Sequence, residues 1–395
     1  MKNILFITWD GPQTSYMEGL FLPIFNEIQK TSNYKFHIIQ FTWSNHQKIA
    51  IAQKKALEYG IVFTSQFIYR KPISVLGAVF TIFMGINFIK KYLKKNEIDI
   101  VMPRSTMPAL MINRIKKQNF KLLFDADGLP LEERVDFSNL SKSSKQYRFL
   151  KKEETKILSD SDGVITRSKK AIAIHLQTLQ LRNSKKFSTV LNGRDAVFFK
   201  NSTHSRDEVR KKLNIDPDSK VFVYCGSLGN QYGWKEMIKI FKGYFFINPN
   251  SKFLILTGNP KYAQLRIPVE LLNYIIVLKI PFEEVPKYLS GADIAFAIRE
   301  PKPSMQGVAP IKIGEYLLMG LPTIASEGIG DTEEILDNIP YTSTFNHQDY
   351  EKIEKSVLFV ENLKNSNYDE IRRFALDYFS IEKSAESYIN ALNKL

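Results

Sequence analysis

Short apolar runs alternate with amphipathic stretches from one end of the chain to the other, and this constrains the fold more than any other feature. Such alternation is the pattern of βα units wound onto a parallel sheet. In the first half the strand-like runs are Asn3–Thr8, Lys35–Phe41, Ile98–Met102, Lys121–Phe124, Gly163–Thr166 and Ser188–Leu191. A loop is expected from Trp9 to Thr14 and a helix from Tyr16 to Lys30. The second half restarts the pattern with Val221–Tyr224, Phe253–Leu256, Ile275–Leu278, Ile294–Ile298 and Thr323–Ser326. Two successive doubly wound α/β domains account for both the repeat and the 395 residues. The break falls near 192–218, where Asn192-Gly193 is followed by the polar stretch Lys200–Arg206. The expected organisation is a domain over 1–195, a second over 196–374, and a terminal segment 375–395. The last helix, about Ile381 to Leu395, precedes no strand and is expected to pack back on the first domain.

Composition removes several classes. With 44% apolar and 24% charged residues the chain is neither disordered nor fibrous. A single cysteine, Cys225, excludes an intrachain disulfide framework and a Cys-based zinc site, and suits a reducing compartment. The first strand begins almost at Met1, so no leader is expected and a cytoplasmic location is. The net charge of +14 is uneven. Residues 1–195 hold 31 Lys and Arg against 16 Asp and Glu, while residues 196–395 hold 24 against 25. The basic half is expected to face something anionic: a membrane surface, a phosphorylated substrate or nucleic acid.

Pro72 to Ile89 carries no formal charge and is flanked by Arg70-Lys71 and by Lys90-Lys91 with Lys94-Lys95. Three readings stand: a buried helix of a βα unit, an interfacial helix with basic ends on anionic headgroups, and a membrane span. The last ranks lowest, because strands continue on both sides and eighteen residues sit at the lower limit for crossing a bilayer, about 17.

The densest set of chemically useful residues runs from Ile298 to Ile335. A loop, Arg299 to Ala309, is followed by Pro310 at an expected first helical position. The helix should then stop at Gly320 with Pro322 beyond. Its amino end would lie at the carboxyl end of a strand, where open α/β sheets bind ligands. The helix dipole, the N–H groups from Val308 to Lys312 and the charge of Lys312 favour a phosphate there. Glu315, one turn on, is placed to reach hydroxyls such as those of a ribose. A second glycine loop, Glu327-Gly-Ile-Gly330, precedes Asp331, which reads as an N-cap.

At the start of the second domain, Cys225-Gly-Ser-Leu-Gly229 and Gly233-Trp-Lys235 resemble a Rossmann turn but miss the G-x-G-x-x-G spacing, so a dinucleotide cofactor is disfavoured. Trp9-Asp-Gly11-Pro12 is the corresponding loop of the first domain, and the two would border one cleft. Asp125-Ala-Asp127-Gly128 could hold a divalent ion through oxygen, and D-x-D resembles the metal motif of a different transferase fold. The favoured reading is a turn with local Asp hydrogen bonds, one carboxylate reaching substrate. The five histidines are scattered without metal spacing.

Pro310-x-Lys312-x-x-Glu315-Tyr-Leu-Leu-Met-Gly320-Leu-Pro322 resembles the donor-binding stretch of retaining, family-4-like glycosyltransferases of the GT-B fold. Val190-Leu-Asn192-Gly193-Arg-Asp195 with Phe198 resembles the interdomain motif of the same group, and Tyr224–Leu228, Val285–Asp293 and Tyr378-Phe-Ser also fit. The resemblance implies two Rossmann-like doubly wound domains facing across a cleft and a sugar nucleotide as donor, with no metal or other cofactor. By position, Glu315 would contact the ribose, and Ala309, Pro310, Ile311 and Lys312 the diphosphate. Many members carry a second Glu where this chain has Gly307, so donor-sugar contacts are expected from Ser304, Gln306, Gly307 and Val308. The places of a frequent Arg and Lys are Ser227 and Tyr232, and Lys235 or Lys312 would replace that charge. Gly11, Gly226 and Ser227 complete the expected donor contacts.

The expected chemistry is transfer, with retention, of a sugar from a nucleoside diphosphate sugar to a carbohydrate acceptor, with Lys312, Asp127 and Asp125 as candidate catalytic residues. A lipid-linked acceptor in surface polysaccharide synthesis, at the inner face of the plasma membrane, would account for the basic half. A sugar-nucleotide epimerase needs more acid and base groups than the loops supply. A non-catalytic sugar-binding protein usually needs export. The basic residues form no nucleic-acid reading module, and nucleic acid is not an expected partner.

Overall fold

The structure is a computed structural model that describes all residues except 13–15, 72, 117–118 and 364–366; Thr14 and Pro72, named above, lie outside the described residues. The chain divides into two compact units. The first comprises Met1–Asn192, Gln306–Val308 and Ile381–Leu395, the second Gly193–Met305 and Ala309–Ser380.

The first unit is built on seven parallel strands: β1 (Lys2–Asp10), β2 (Tyr34–Thr42), β3 (Val62–Phe67), β4 (Ile100–Pro103), β5 (Lys121–Asp125), β6 (Gly163–Thr166) and β7 (Phe187–Thr189). Their spatial order is β3-β2-β1-β4-β5-β6-β7, so the direction of winding reverses between β1 and β4. β1 is apolar on both faces, with Ile4, Leu5, Phe6 and Ile7 fully buried, as a central strand covered by helices on both sides requires. The expected helix from Tyr16 opens as a wide π turn, Met17–Phe21, before the α-helix Leu22–Thr31. Pro23 lacks the N–H that an interior α position would need, and it falls in the first turn of the α segment. The final helix, Ile381–Leu392, belongs to this unit, with Tyr388 1% exposed and set edge-on to Phe25.

The second unit has six parallel strands: β8 (Val221–Cys225), β9 (Lys252–Leu256), β10 (Ile275–Leu278), β11 (Ile294–Ala297), β12 (Thr323–Ser326) and β13 (Thr342–Phe345). Their order, β10-β9-β8-β11-β12-β13, puts its reversal between β8 and β11. Both sheets are therefore doubly wound, as the alternation predicts. β3 and β13 are additions to the expected set, and both are edge strands.

The segment before Ile89 is not a buried helix. Ser74–Lys95 forms one helix of 22 residues in which only Gly77, Thr81, Gly85 and Ile89 are buried, all on a single face.

Candidate functional site

In an open parallel sheet the carboxyl ends of the strands beside a winding reversal leave a crevice for ligands. In the second unit that place is the end of β8 and β11. Two short-range devices fix it. Tyr316 in the helix Ile311–Leu318 accepts the Cys225 N–H at 2.8 Å and donates to the Cys225 carbonyl, tying the end of β8 to that helix. Tyr224 donates to the Ser227 carbonyl and closes the following turn. Gly226 then lies so close to Lys312 that an added Cβ would sit 3.6 Å from Lys312 Cε and 3.2 Å from the Tyr224 hydroxyl.

The helix begins one residue later than expected: Pro310 is its cap, not its first residue, with φ −69° and an extended ψ of 110°. Proline offers no capping oxygen. The far end follows the sequence signature, with Gly320 at φ +74°, where an added Cβ would run into the Tyr368 carbonyl. Ile313, Tyr316, Leu317 and Leu318 are buried in the core, leaving Lys312 at the rim.

Lys312 Nζ donates to Glu315 Oε2 at 2.8 Å, and Arg194 Nη2 lies 3.0 Å from Glu315 Oε1. The Lys312 side chain retains 35% exposure while that of Glu315 has none. A ligand can therefore meet the cation first. Burial opposes the Glu315 charge, but Lys312 and Arg194 outweigh it and hold the carboxyl below its ordinary range. Burial also opposes the Lys312 charge, yet Cys225 and Glu315 beside it leave its pKa raised. Both groups are charged at neutral pH.

Arg299, which follows β11, does not figure in the sequence expectation. Its backbone is fixed by Ser326, which accepts the Arg299 N–H and donates to the Arg299 carbonyl, both at 2.9 Å. The guanidinium lies over the Tyr232 ring, 5.1 Å from its centroid, and donates to Gln231 Oε1 at 3.2 Å. A cation thus stands beside the very loop whose own residues, Ser227 and Tyr232, lack one. Lys235 is exposed in the first turn of Trp234–Ile247, and its field acts on Glu300. Ser304 is buried, and the neighbouring Met305 carbonyl accepts the Gly330 N–H at 2.9 Å. The second glycine loop is closed by its own chain: the Gly328 N–H donates to Glu333 Oε1 at 2.9 Å, so that amide faces a carboxylate and not a phosphate. Asp331 occupies the cap position of Thr332–Leu336, but its side chain makes no capping bond.

In the first unit the corresponding strand ends gather Asp10 at the end of β1 with Gly11 after it, Arg104 after β4, Asp125 to Gly128 at the end of β5 and Arg167 after β6. Asp125 is fully buried and paired with Arg167 at 2.8 Å and Arg104 at 3.4 Å. Arg104 also meets Asp127 at 2.5 Å. These carboxylates are engaged by guanidinium groups, and the Asp127 N–H donates to Asp125 Oδ1 in the turn that the sequence suggests. Asp127 (φ +62°) and Gly128 (φ +113°) have left-handed backbone, as does Ser105 at φ +64° beside Arg104. Such outliers concentrate where a fold is held for function. Burial, reinforced by Asp125, pushes the Asp127 carboxyl up to about 6 against the pull of Arg104. Among the described residues, Nη1 of Arg167 is buried without a hydrogen-bond partner.

Gln306, Gly307 and Val308 also belong to this unit, although both flanking segments belong to the second. Ser168 Oγ donates to the Gln306 carbonyl at 2.6 Å. A Cβ on Gly307 would lie 2.8 Å from the Leu129 nitrogen, and one on Gly128 2.5 Å from the Gly307 carbonyl oxygen. The glycine where relatives of the resembling group carry Glu is thus required by close backbone approach.

The expected residues accordingly fall into two sets. Gly226, Lys312 and Glu315 are brought together in the second unit, with Ser227, Ser304, Ala309 and Pro310 on the adjoining loops, Ile311 at the start of the Lys312 helix and Lys235 in the first turn of Trp234–Ile247. Gly11, Asp125, Asp127, Gln306, Gly307 and Val308 lie in the first.

No protein-family model and no curated protein sequence matches the chain. Solved structures do. HepE of Anabaena, in complex with UDP, shares 14% identity over 100% of both chains with a TM-score of 0.72. A glycosyltransferase from Rickettsia africae shares 15% over 100% of this chain and 98% of that one, also at 0.72. WaaG, a glycosyltransferase involved in lipopolysaccharide biosynthesis, shares 15% over 97% and 98% respectively, at 0.67. At such identities what is held in common is the architecture: this chain has the GT-B fold, two Rossmann-like α/β domains in succession.

Proposed function

We propose that the protein is a glycosyltransferase that takes a sugar from a nucleoside diphosphate sugar, a UDP-sugar above all, and places it on a carbohydrate acceptor with retention at the anomeric carbon. The observation that supports this most is the partly exposed Lys312 ammonium, held by Glu315, itself paired with Arg194, at the winding reversal of the second sheet, with Gly226 against it. A departing diphosphate develops negative charge, and fixed cations in a preorganised site stabilise it without reorganisation. Lys312, the amino end of the helix behind Pro310 and the Arg299 guanidinium fill that role. Glu315 takes the ribose hydroxyls with the oxygens it now shares with Lys312 and Arg194. The reading assigns no resident metal or cofactor.

The acceptor hydroxyl is assigned to the strand ends of the first unit. There Asp127, with its elevated pKa and 32% exposure, is a candidate base, and the unpartnered Nη1 of Arg167 a donor to acceptor oxygens. Asp125, fully buried between two guanidinium groups, orients them. The +15 charge of residues 1–195 suits an acceptor carried on a lipid diphosphate, at the cytoplasmic face of a membrane in surface glycan synthesis.

The test is a thermal-shift screen with UDP, GDP, ADP and dTDP sugars on the wild type and on Lys312→Ala. At 100 Kd a ligand raises stability by about 2.7 kcal/mol. One nucleotide series should shift the wild type and leave the variant unmoved. No shift with any series, or equal shifts in both proteins, overturns the reading.

A further inference from the structure

The Ser74–Lys95 helix connects β3, at the edge of the first sheet, to β4, and it grips that sheet by a narrow seam. Gly77, Thr81, Gly85 and Ile89 recur every four residues and are the buried ones. A Cβ on Gly77 would collide with the Tyr69 carbonyl oxygen, and one on Gly85 would fall 2.9 Å from the Met111 sulfur and the Phe41 ring. Thr81 Oγ1 accepts the Tyr69 N–H at 2.9 Å and donates to the Gly77 carbonyl at 2.8 Å. Small residues let the helix sit close, with Ile89 and the half-buried Ile82, Ile86, Phe88, Tyr92 and Leu93 packed on the core, and a second set of bulky residues points the other way. Val75, Leu76, Val79, Phe80, Phe83 and Met84 are each 49–64% exposed. A soluble monomer rarely leaves so many large apolar side chains together in water.

The charge around this face is of one sign. From Tyr59 to Asn96 the chain has six Lys or Arg and no Asp or Glu. Lys90, Lys91 and Lys94 continue the exposed face past its apolar turns, and Arg70 and Lys71 precede it; all are exposed. Apolar turns bracketed by cations match an anionic bilayer, whose acyl boundary takes the rings while headgroups meet the ammonium ends. A span is not compatible with this packing, since it would tear Gly77, Thr81, Gly85 and Ile89 from the sheet and pull apart the strands on either side of the helix.

We propose that the exposed face of this helix is a docking surface for an anionic lipid bilayer, the helix lying in the headgroup layer parallel to the membrane. The inference needs nothing from the sugar-transfer reading, and its test uses no nucleotide. The full chain is sedimented with phosphatidylcholine vesicles and with phosphatidylcholine vesicles containing phosphatidylglycerol. It is compared with Val79→Glu/Phe83→Glu and with the four substitutions Lys90→Gln, Lys91→Gln, Lys94→Gln and Lys95→Gln. Circular dichroism confirms that both variants remain folded, and sedimentation velocity without lipid gives the oligomeric state. Binding should favour the anionic vesicles, and each variant should partition at least about tenfold less. Absence of binding to anionic vesicles, or binding unchanged in both variants, overturns the proposal. So does a lipid-free dimer that Val79→Glu/Phe83→Glu dissociates, since the face would then belong to a second copy of the chain.

Discussion

Arg194 and Glu315 form a buried ion pair, Nη2 to Oε1 at 3.0 Å, with side chains 8% and 0% exposed. The Arg194 backbone is fixed independently, its N–H donating to the Phe379 carbonyl at 2.7 Å. The guanidinium is thus delivered to Glu315 from a strand-like bridge remote from it in sequence. Removing one member of such a pair costs more than the pair is worth, because a desolvated charge is left behind. Arg194→Met should destabilise the second unit by about 3 kcal/mol, and adding Glu315→Gln should recover some of that loss. Urea unfolding of the two single variants and the double variant reads the coupling; strictly additive losses would show that the two side chains do not depend on each other.

Lys312→Ala removes the solvent-exposed member of the same cluster. A charge-assisted contact is worth about 1.5–3 kcal/mol, so donor kcat/KM should fall at least about tenfold. Steady-state kinetics with the sugar nucleotide found in the thermal screen measures it. Unchanged donor kinetics would contradict the assignment of Lys312 to the diphosphate.

His175 sets an acid limit for the first unit. It is fully buried, and among the described residues neither ring nitrogen has a side-chain hydrogen-bond partner, the Gly128 backbone only weakly opposing the effect of burial. Burial drives its pKa from 6.5 down to about 4, Lys151 adding to the shift and Glu132 opposing it. Between these values the unfolded chain binds the proton and the folded one does not. Stability therefore rises with pH across the window and is lost on acidification from pH 6.5 to about 4, by about 3 kcal/mol in all. Asp127 acts with opposite sign, since its raised pKa favours the folded state in acid. His175→Leu isolates the histidine: the wild type should lose stability relative to this variant over that window. A difference independent of pH would refute the assignment.

Gly307→Ala tests the close approach of 306–308 to the turn after β5. The added Cβ would meet backbone at 2.8 and 2.9 Å, and a cost of about 1–3 kcal/mol is expected. Gly229 provides the control, for nothing among the described residues lies within 4 Å of its Cβ position, and Gly229→Ala should change stability by less than about 0.5 kcal/mol. Equal effects in differential scanning calorimetry would remove the steric reason for glycine at 307.

The strands legible in the sequence are those whose runs are apolar throughout, because a parallel strand buried on both faces leaves a continuous mark. β3, Val-Phe-Thr-Ser-Gln-Phe, is half-buried at best, and β13, Thr-Ser-Thr-Phe, is mostly polar. Each pairs on one side only and needs less apolar cover. In the site, Lys312 and Glu315 could be found because they sit one helical turn apart. Arg104, Arg167 and Arg194 could not, since the carboxylates they meet come from other elements and only the folded sheet brings them within reach. Their signal is position: Arg104 and Arg167 each directly follow an apolar run, and Arg194 lies inside the Val190–Asp195 motif. Arg299 shares that signal, and its value appears only once Tyr232 is seen beneath it.

The burial of Cys225 at the end of β8 has a practical corollary. It is the chain's only thiol, its pKa is raised by desolvation, and Tyr316 locks its backbone. A maleimide should find nothing to modify until the surrounding sheet opens. The protein therefore comes with its own chemical clock, a single alkylation event that records the opening of the second unit and ignores what happens in the first.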